Sequence, residues 1–176
     1  MAATSKLSTR TLVLTALFIA LSLVGSYIKV FGSIAFDSLP GFLAALLLGP
    51  VYGAAIGFLG HMFTAMTSGF PHSLPLHLVI AVTMAITMLG FGYTYKALKN
   101  KVTETINLAL TGVVGTILNG PVSLTCSMAT LAVIAGKEAA LGLMVLLPVL
   151  ILASVANIIL AIVLFVSLDK VWKNIR

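Results

Sequence analysis

Long apolar runs alternate with short polar breaks along this chain. The breaks fall at Phe31–Leu39, Gly49–Pro50, Gly69–Pro75, Lys96–Glu104 and Ala135–Ala140. Between them lie six hydrophobic segments, roughly 10–30, 36–49, 51–68, 75–96, 104–134 and 141–170. Apolar runs of this kind predict membrane-crossing helices, because a bilayer core takes roughly 20 apolar residues. Inside it, backbone polar groups must pair within the helix itself. The second and third segments meet at Leu48-Gly49-Pro50-Val51, where Gly suits a helix end and Pro a helix start. Segment 36–49 is under spanning length, so it either tilts or continues from the preceding loop. The expected fold is one all-α integral membrane domain over 1–176, six transmembrane helices in a compact bundle.

Composition agrees. Charged residues make up 8% of the chain and apolar ones 60%, with a mean hydropathy of +1.19. A soluble domain is usually about 25% charged, so a soluble globule is excluded. The basic head and apolar run at the start also fit a signal peptide. The run from Thr11 to Ile28 is longer than a usual signal core, and no convincing small-residue cleavage pattern follows it. It reads as a retained first span. The single cysteine, Cys126, excludes an intrachain disulfide and a cysteine-only metal site.

The net charge of +6 is distributed in one way along the chain. Lys6, Arg10, Lys96, Lys99, Lys101, Lys170, Lys173 and Arg176 fall on one side of a six-span arrangement, and only Lys29 and Lys137 on the other. The positive-inside rule makes the first side cytoplasmic, with both termini there. Trp172, beside Lys170 and Lys173, reads as an interfacial anchor. This pattern accounts for the basic balance without nucleic acid, and no aromatic-interleaved basic patch is present.

Candidate chemistry is concentrated in residues 60–78, GHMFTAMTSGFPHSLPLHL, which hold all three histidines. On a helix Gly57, His61, Thr64 and Ser68 share one face at i, i+4, i+7 and i+11. His61 falls near mid-depth, Ser68 closer to the outside, His72 in an external loop and His77 at the start of the fourth span. Such a face describes one wall of a cavity open to the outside. Intramembrane ionisable groups are costly and mostly functional, but His61 also reads as a group satisfying a neighbouring helix. Asn119-Gly120-Pro121 falls mid-span in the fifth segment, where Pro frees a backbone carbonyl. Ser123 and Cys126 lie further out, Asn157 is central in the sixth span, and Thr83 and Thr87 belong to the fourth. Each of these alone also reads as an interhelical hydrogen bond. Asp37, in the first external loop, is either a site acid or an N-cap of the second helix.

Enzyme signatures are missing: no HExxH, no paired carboxylates on one helix, no GxSxG and no Walker lysine motif. A buried mid-span carboxylate for proton coupling is missing too. The chain therefore reads as a binder that uses energy supplied by others. Ala16 and Ala20 form a small-xxx-small pair, extended by Ser22, Gly25 and Ser26, that suits either a partner helix or internal packing.

Residues 34–70, IAFDSLPGFLAALLLGPVYGAAIGFLGHMFTAMTSGF, resemble the second and third helices of substrate-binding S components of energy-coupling factor (ECF) vitamin transporters. The rest of the chain resembles them in topology. That resemblance implies that Ala16 and Ala20 contact a transmembrane coupling protein, and that two cytoplasmic ATPases supply energy. It implies a gate at Gly69, Phe70 and Pro71, together with the first loop, and a protein that topples in the membrane to release its vitamin. The pattern GHxxTAxxSGFPxxLPxH is similar to S components linked to cobalamin precursors, especially α-ribazole. The candidate ligand set is Asp37, His61, Thr64, Ser68, His72, His77, Asn119, Cys126 and Asn157, with no cofactor and no resident metal. These groups suit an uncharged nucleoside. Pantothenate is anionic and would be better served by a buried cation. Cobalamin could be ligated by His61, His72, His77 or Cys126, and thiamine, riboflavin, biotin and folate stay open. Readings of other classes are a structural or assembly subunit without a solute, and an autonomous channel or carrier.

Overall fold

The structure is a computed structural model that describes residues 8–31 and 34–175, with side chains described for 8–29 and 34–168. Lys6, Arg176 and the side chains of Lys170, Trp172 and Lys173 lie outside the described residues.

Among the described residues eight α-helices follow one another: α1 (Thr9–Ser26), α2 (Leu39–Leu47), α3 (Pro50–Thr67), α4 (Leu74–Leu98), α5 (Glu104–Ile117), α6 (Ser123–Ala135), α7 (Lys137–Gly142) and α8 (Leu147–Ile175). A π-helical turn, Leu118–Val122, joins α5 to α6, and a 3₁₀ turn, Leu143–Leu146, joins α7 to α8. The π turn contains Pro121. A proline cannot donate to the preceding turn, and widening the helix there keeps α5 and α6 continuous rather than broken.

Among the described residues, four stretches are long and apolar enough to cross a membrane: Thr9–Ser26, Leu74–Leu98, Glu104–Ala135 and Lys137–Leu168. With α5–α6 and α7–α8 each taken as one continuous stretch, the described residues form six helical segments, as expected, and α2 is the short one. Its nine residues rise only about 13 Å at 1.5 Å each, less than half a bilayer core. Seven of those nine residues are buried. α2 is thus an interior element, packed on α3, α8, α1 and α4. α3 has 18 residues but carries His61, two threonines and three glycines, which lower its hydropathy.

The expected connection between α1 and α2 is corrected, from plain loop to a small hairpin. Strands β1 (Lys29–Phe31) and β2 (Ile34–Ala35) pair antiparallel, and the Phe36 amide donates to the Ile28 carbonyl at 3.2 Å. A segment lying over a helix bundle must still pair its backbone groups. Here the hairpin supplies that pairing.

The core centres on Phe42, Ile56, Met88 and Phe91, all fully buried, with Phe42 and Phe91 edge-to-face at 4.9 Å. α2 and α3 approach closely because Gly53 lacks a side chain. A Cβ there would lie 2.6 Å from the Ala45 Cβ and 2.9 Å from the Gly41 carbonyl oxygen. Gly53→Val is expected to force the two helices apart and cost about 1–3 kcal/mol, the range for overpacking. A lowered melting temperature in detergent checks this; an unchanged one would mean the α2–α3 contact is not tight.

Ser22, Gly25 and Ser26 face inward rather than extending an outer small-residue surface. Ser22 Oγ donates to the Asp37 carbonyl at 2.9 Å, and all three residues are buried. Ala16 and Ala20 are exposed, on the side away from α3.

Candidate solute-binding site

The chain turns at two ends of the bundle. At one end the turn at Gly49 lies beside the Lys96 ammonium. At the other, Lys29 Nζ donates to the Thr67 carbonyl at 2.9 Å, a cation closing the C-terminus of α3. This second end holds the hairpin and the α3–α4 loop, and beneath them is a cavity of about 270 Å³.

One wall comes from α3, α4 and the loop before α2. His61 and His77 are buried and their rings stack at 5.3 Å. His61 Nε2 lies 3.1 Å from His77 Nδ1, and His77 Nε2 lies 3.0 Å from the Pro71 carbonyl. A carbonyl only accepts, so His77 Nε2 carries the proton. In a neutral ring His77 Nδ1 is then an acceptor, which takes the proton of His61 Nε2. His61 Nδ1 is left bare, 3.9 Å from Asp37 Oδ2. That gap is too long for a direct hydrogen bond.

Asp37 is buried and ties three segments together. Its carboxylate accepts from Thr64 Oγ1 at 2.6 Å and from the backbone amides of Asp37 and Ser38. Its carbonyl accepts from Ser22. The helix N-cap position belongs to Ser38, whose side chain makes no capping bond, so Asp37 is anchored to α3 rather than capping α2 in the usual manner.

The other wall is α6, the π turn and α8. Asn119 Nδ2 donates to Ser154 Oγ at 2.8 Å, and Asn157 Nδ2 to the Ala153 and Ala35 carbonyls at 2.8 and 3.3 Å. The Asn119 and Asn157 Oδ1 atoms are buried without a partner. Ser123 and Ser127 line this wall, and Leu143, Leu146 and Leu150 give it an apolar floor. The roof is Pro71 and His72. Phe70 and His72 have φ of 51° and 69° beside Gly69 at 72°. Positive φ is costly for bulky side chains and collects at functional loops.

Of the nine expected ligand residues, Asp37, His61, His72, His77, Asn119 and Asn157 line this cavity. Three do not. Thr64 stands behind Asp37 and holds its carboxylate. Ser68 ends α3 as its C-cap. Cys126, partly exposed, is replaced on the cavity face by Ser123 and Ser127, four residues apart and so on one helical stripe. Thr83 and Thr87 are also outside it: Thr83 bonds Ser123 at 2.9 Å and Thr87 bonds the Thr83 carbonyl at 2.8 Å. The sequence reading missed Ser154, although its spacing of three from Asn157 places it on the same face. The leucine floor carried no signal, because leucines fill every span.

A largely apolar cavity with a few convergent polar side chains, inside an apolar helical bundle, has the form of a small-solute site in a membrane protein. The family model described as "ECF transporter, substrate-specific component" matches residues 10–168, so the chain belongs to that family. No curated protein and no solved structure matches it.

Proposed function

We propose that this chain is the substrate-binding subunit of an ECF-type importer for an uncharged vitamin precursor, with α-ribazole as the best-fitting candidate. The observation that carries the reading is the cavity: four buried polar side chains, Asp37, His61, His77 and Asn157, and the half-buried Asn119 converge on one space of about 270 Å³. Small-molecule sites run from about 300 to 1,000 Å³, so this one suits a compact solute. A corrin-sized macrocycle exceeds it, and Cys126 stands outside it, which favours a cobalamin precursor over cobalamin. No lysine or arginine lines the cavity among the described residues, which disfavours pantothenate.

In this reading the protein sits in the plasma membrane of a prokaryote with both termini cytoplasmic. The basic Lys96, Lys99 and Lys101 end faces inward, and the cavity faces outward under its loop. The Ala16 and Ala20 face, exposed on α1, receives the transmembrane coupling protein. Two cytoplasmic ATPases drive the cycle.

The test is mass spectrometry of small molecules that copurify with the protein, followed by α-ribazole titration. A solute of that mass with saturable binding supports the proposal. A protein that carries no solute and binds none of the water-soluble vitamins would return it to a structural subunit.

The roof follows from the same reading. Backbone amides of residues 69–73 should exchange hydrogen more slowly with α-ribazole bound, because the loop has few backbone partners of its own. Equal exchange with and without α-ribazole would remove Gly69, Phe70 and Pro71 from any gating role.

A further inference from the structure

We infer that residues 137–146 form a movable side of the cavity and that the solute enters past them, between α6 and α8, from the outer edge of the bilayer. This rests on the substrate-binding reading above and adds the route into its site.

The sequence sets this segment apart. Gly136 precedes it with φ of 90°, a backbone that favours glycine. Gly142 falls within it, and a Cβ at either glycine would meet nothing within 4 Å. Pro148 follows it and has no N–H to donate to the Met144 carbonyl. That carbonyl takes the Leu147 amide instead, which is the shorter bond of a 3₁₀ turn. α7 and the 3₁₀ turn therefore stand where a longer α8 would otherwise begin. Three residues per turn bring Leu143 and Leu146 onto one face, and both line the cavity. Leu141, Met144 and Val145 are exposed on the other faces. One layer of apolar side chains thus has the cavity inside and lipid outside. Lys137 and Glu138, exposed at the start of α7, set that end at the level of the lipid headgroups.

Other sides of the cavity are bonded in place. His77 holds the Pro71 carbonyl of the roof at 3.0 Å, Lys29 closes α3 at 2.9 Å, and Asn157 holds the Ala35 carbonyl of the hairpin at 3.3 Å. Among the described residues no side-chain hydrogen bond reaches 137–146. Ala140 and Leu143 instead pack in one apolar cluster with Leu76, Leu124 and Leu131. In water, swinging those side chains outward would be opposed by the hydrophobic effect. In a bilayer, acyl chains as apolar as leucine replace the lost contacts. This side therefore opens with no side-chain hydrogen bond broken, and segments held so lightly open first. A solute passing it meets leucines first and the polar wall at Asp37 and His61 last. The fitting class is a small amphiphile that collects at the membrane surface, its polar end leading and an apolar ring left against Leu143 and Leu146.

Cys126→Ser leaves the chain without cysteine. In that background Leu143→Cys, Met144→Cys and Ala81→Cys are each reconstituted in vesicles and labelled with pyrenylmaleimide, which reaches thiols through the lipid. Met144 is exposed, whereas Ala81 and Leu143 are both buried. Leu143→Cys is expected to label at least 10-fold faster than Ala81→Cys, with Met144→Cys fastest; a smaller margin over Ala81→Cys overturns the inference. Saturating α-ribazole should slow Leu143→Cys at least fivefold and leave Met144→Cys unchanged. α-Ribazole that binds by thermal shift without slowing Leu143→Cys overturns the entry route. If α-ribazole does not bind, the α-ribazole reading fails, and the comparison with Ala81→Cys still decides whether this side moves.

Hydrogen exchange on the parent chain covers a Leu143→Cys variant that does not fold. Backbone amides of 140–146 should exchange at least 10-fold faster than those of 127–134 on α6, against which they pack. Equal protection of the two segments overturns the inference.

Discussion

Ala16→Trp combined with Ala20→Trp should abolish ATP-driven uptake in cells or proteoliposomes that hold the whole transporter, while solute affinity of the isolated subunit stays within about twofold. Both alanines are exposed, among the outward side chains Leu12, Val13, Leu17 and Leu21. Nothing in the bundle is displaced by enlarging them. In a membrane there is no hydrophobic gain from pairing apolar helices, and association depends on close backbone approach over small residues. Two indoles on that stripe push a partner helix away by several ångströms. No residue of α1 lines the cavity, so its geometry is undisturbed. Uptake that survives both substitutions would remove this face as the docking surface. Loss of folded protein would mean the alanines pack internally after all.

Much of this architecture was legible because membrane segments advertise themselves by hydropathy alone. The tight Gly49-Pro50 turn was readable for a chemical reason: Gly49 adopts φ of 116°, which favours glycine, and Pro50 starts a helix without needing its missing N–H. Depth and helical spacing brought His61, Asn119 and Asn157 to one cavity. Less was legible where tertiary contact decides. Segment 36–49 is apolar enough to look like a span, and only its burial against four other helices makes it an interior helix of nine residues. Hydropathy cannot separate burial in protein from burial in lipid. The face holding His61 and Thr64 was grouped by spacing, yet the roughly 60° between two residues three apart decides which side chain reaches the cavity and which reaches Asp37. Cys126 failed for the same reason: one step along the helix from Ser127, it points about 100° away.

His61 carries the sharpest test of the site. It is buried at 6% exposure, stands 3.9 Å from the Asp37 carboxylate and bonds His77, which in turn holds the Pro71 carbonyl of the roof. His61→Ala removes one bond from this series but leaves Asp37 held by Thr64 and the backbone. Water can enter the vacated space, because it is polar and opens on the cavity. Folding should therefore change little. Solute affinity should fall by about 1–3 kcal/mol, the usual cost of leaving a buried polar group unpaired, or roughly 5- to 150-fold. His77→Ala should cost a similar amount and also speed amide exchange at residues 70–72, since it releases the roof carbonyl. The double variant should lose less than the sum of the two, because residues in one hydrogen-bonded series couple. Full additivity would mean the two histidines act separately. If His61→Ala instead unfolds the protein while the folded remainder binds α-ribazole, or whichever vitamin the parent binds, with parental affinity, the histidine pair is structural and the polar wall belongs to the bundle rather than to a solute.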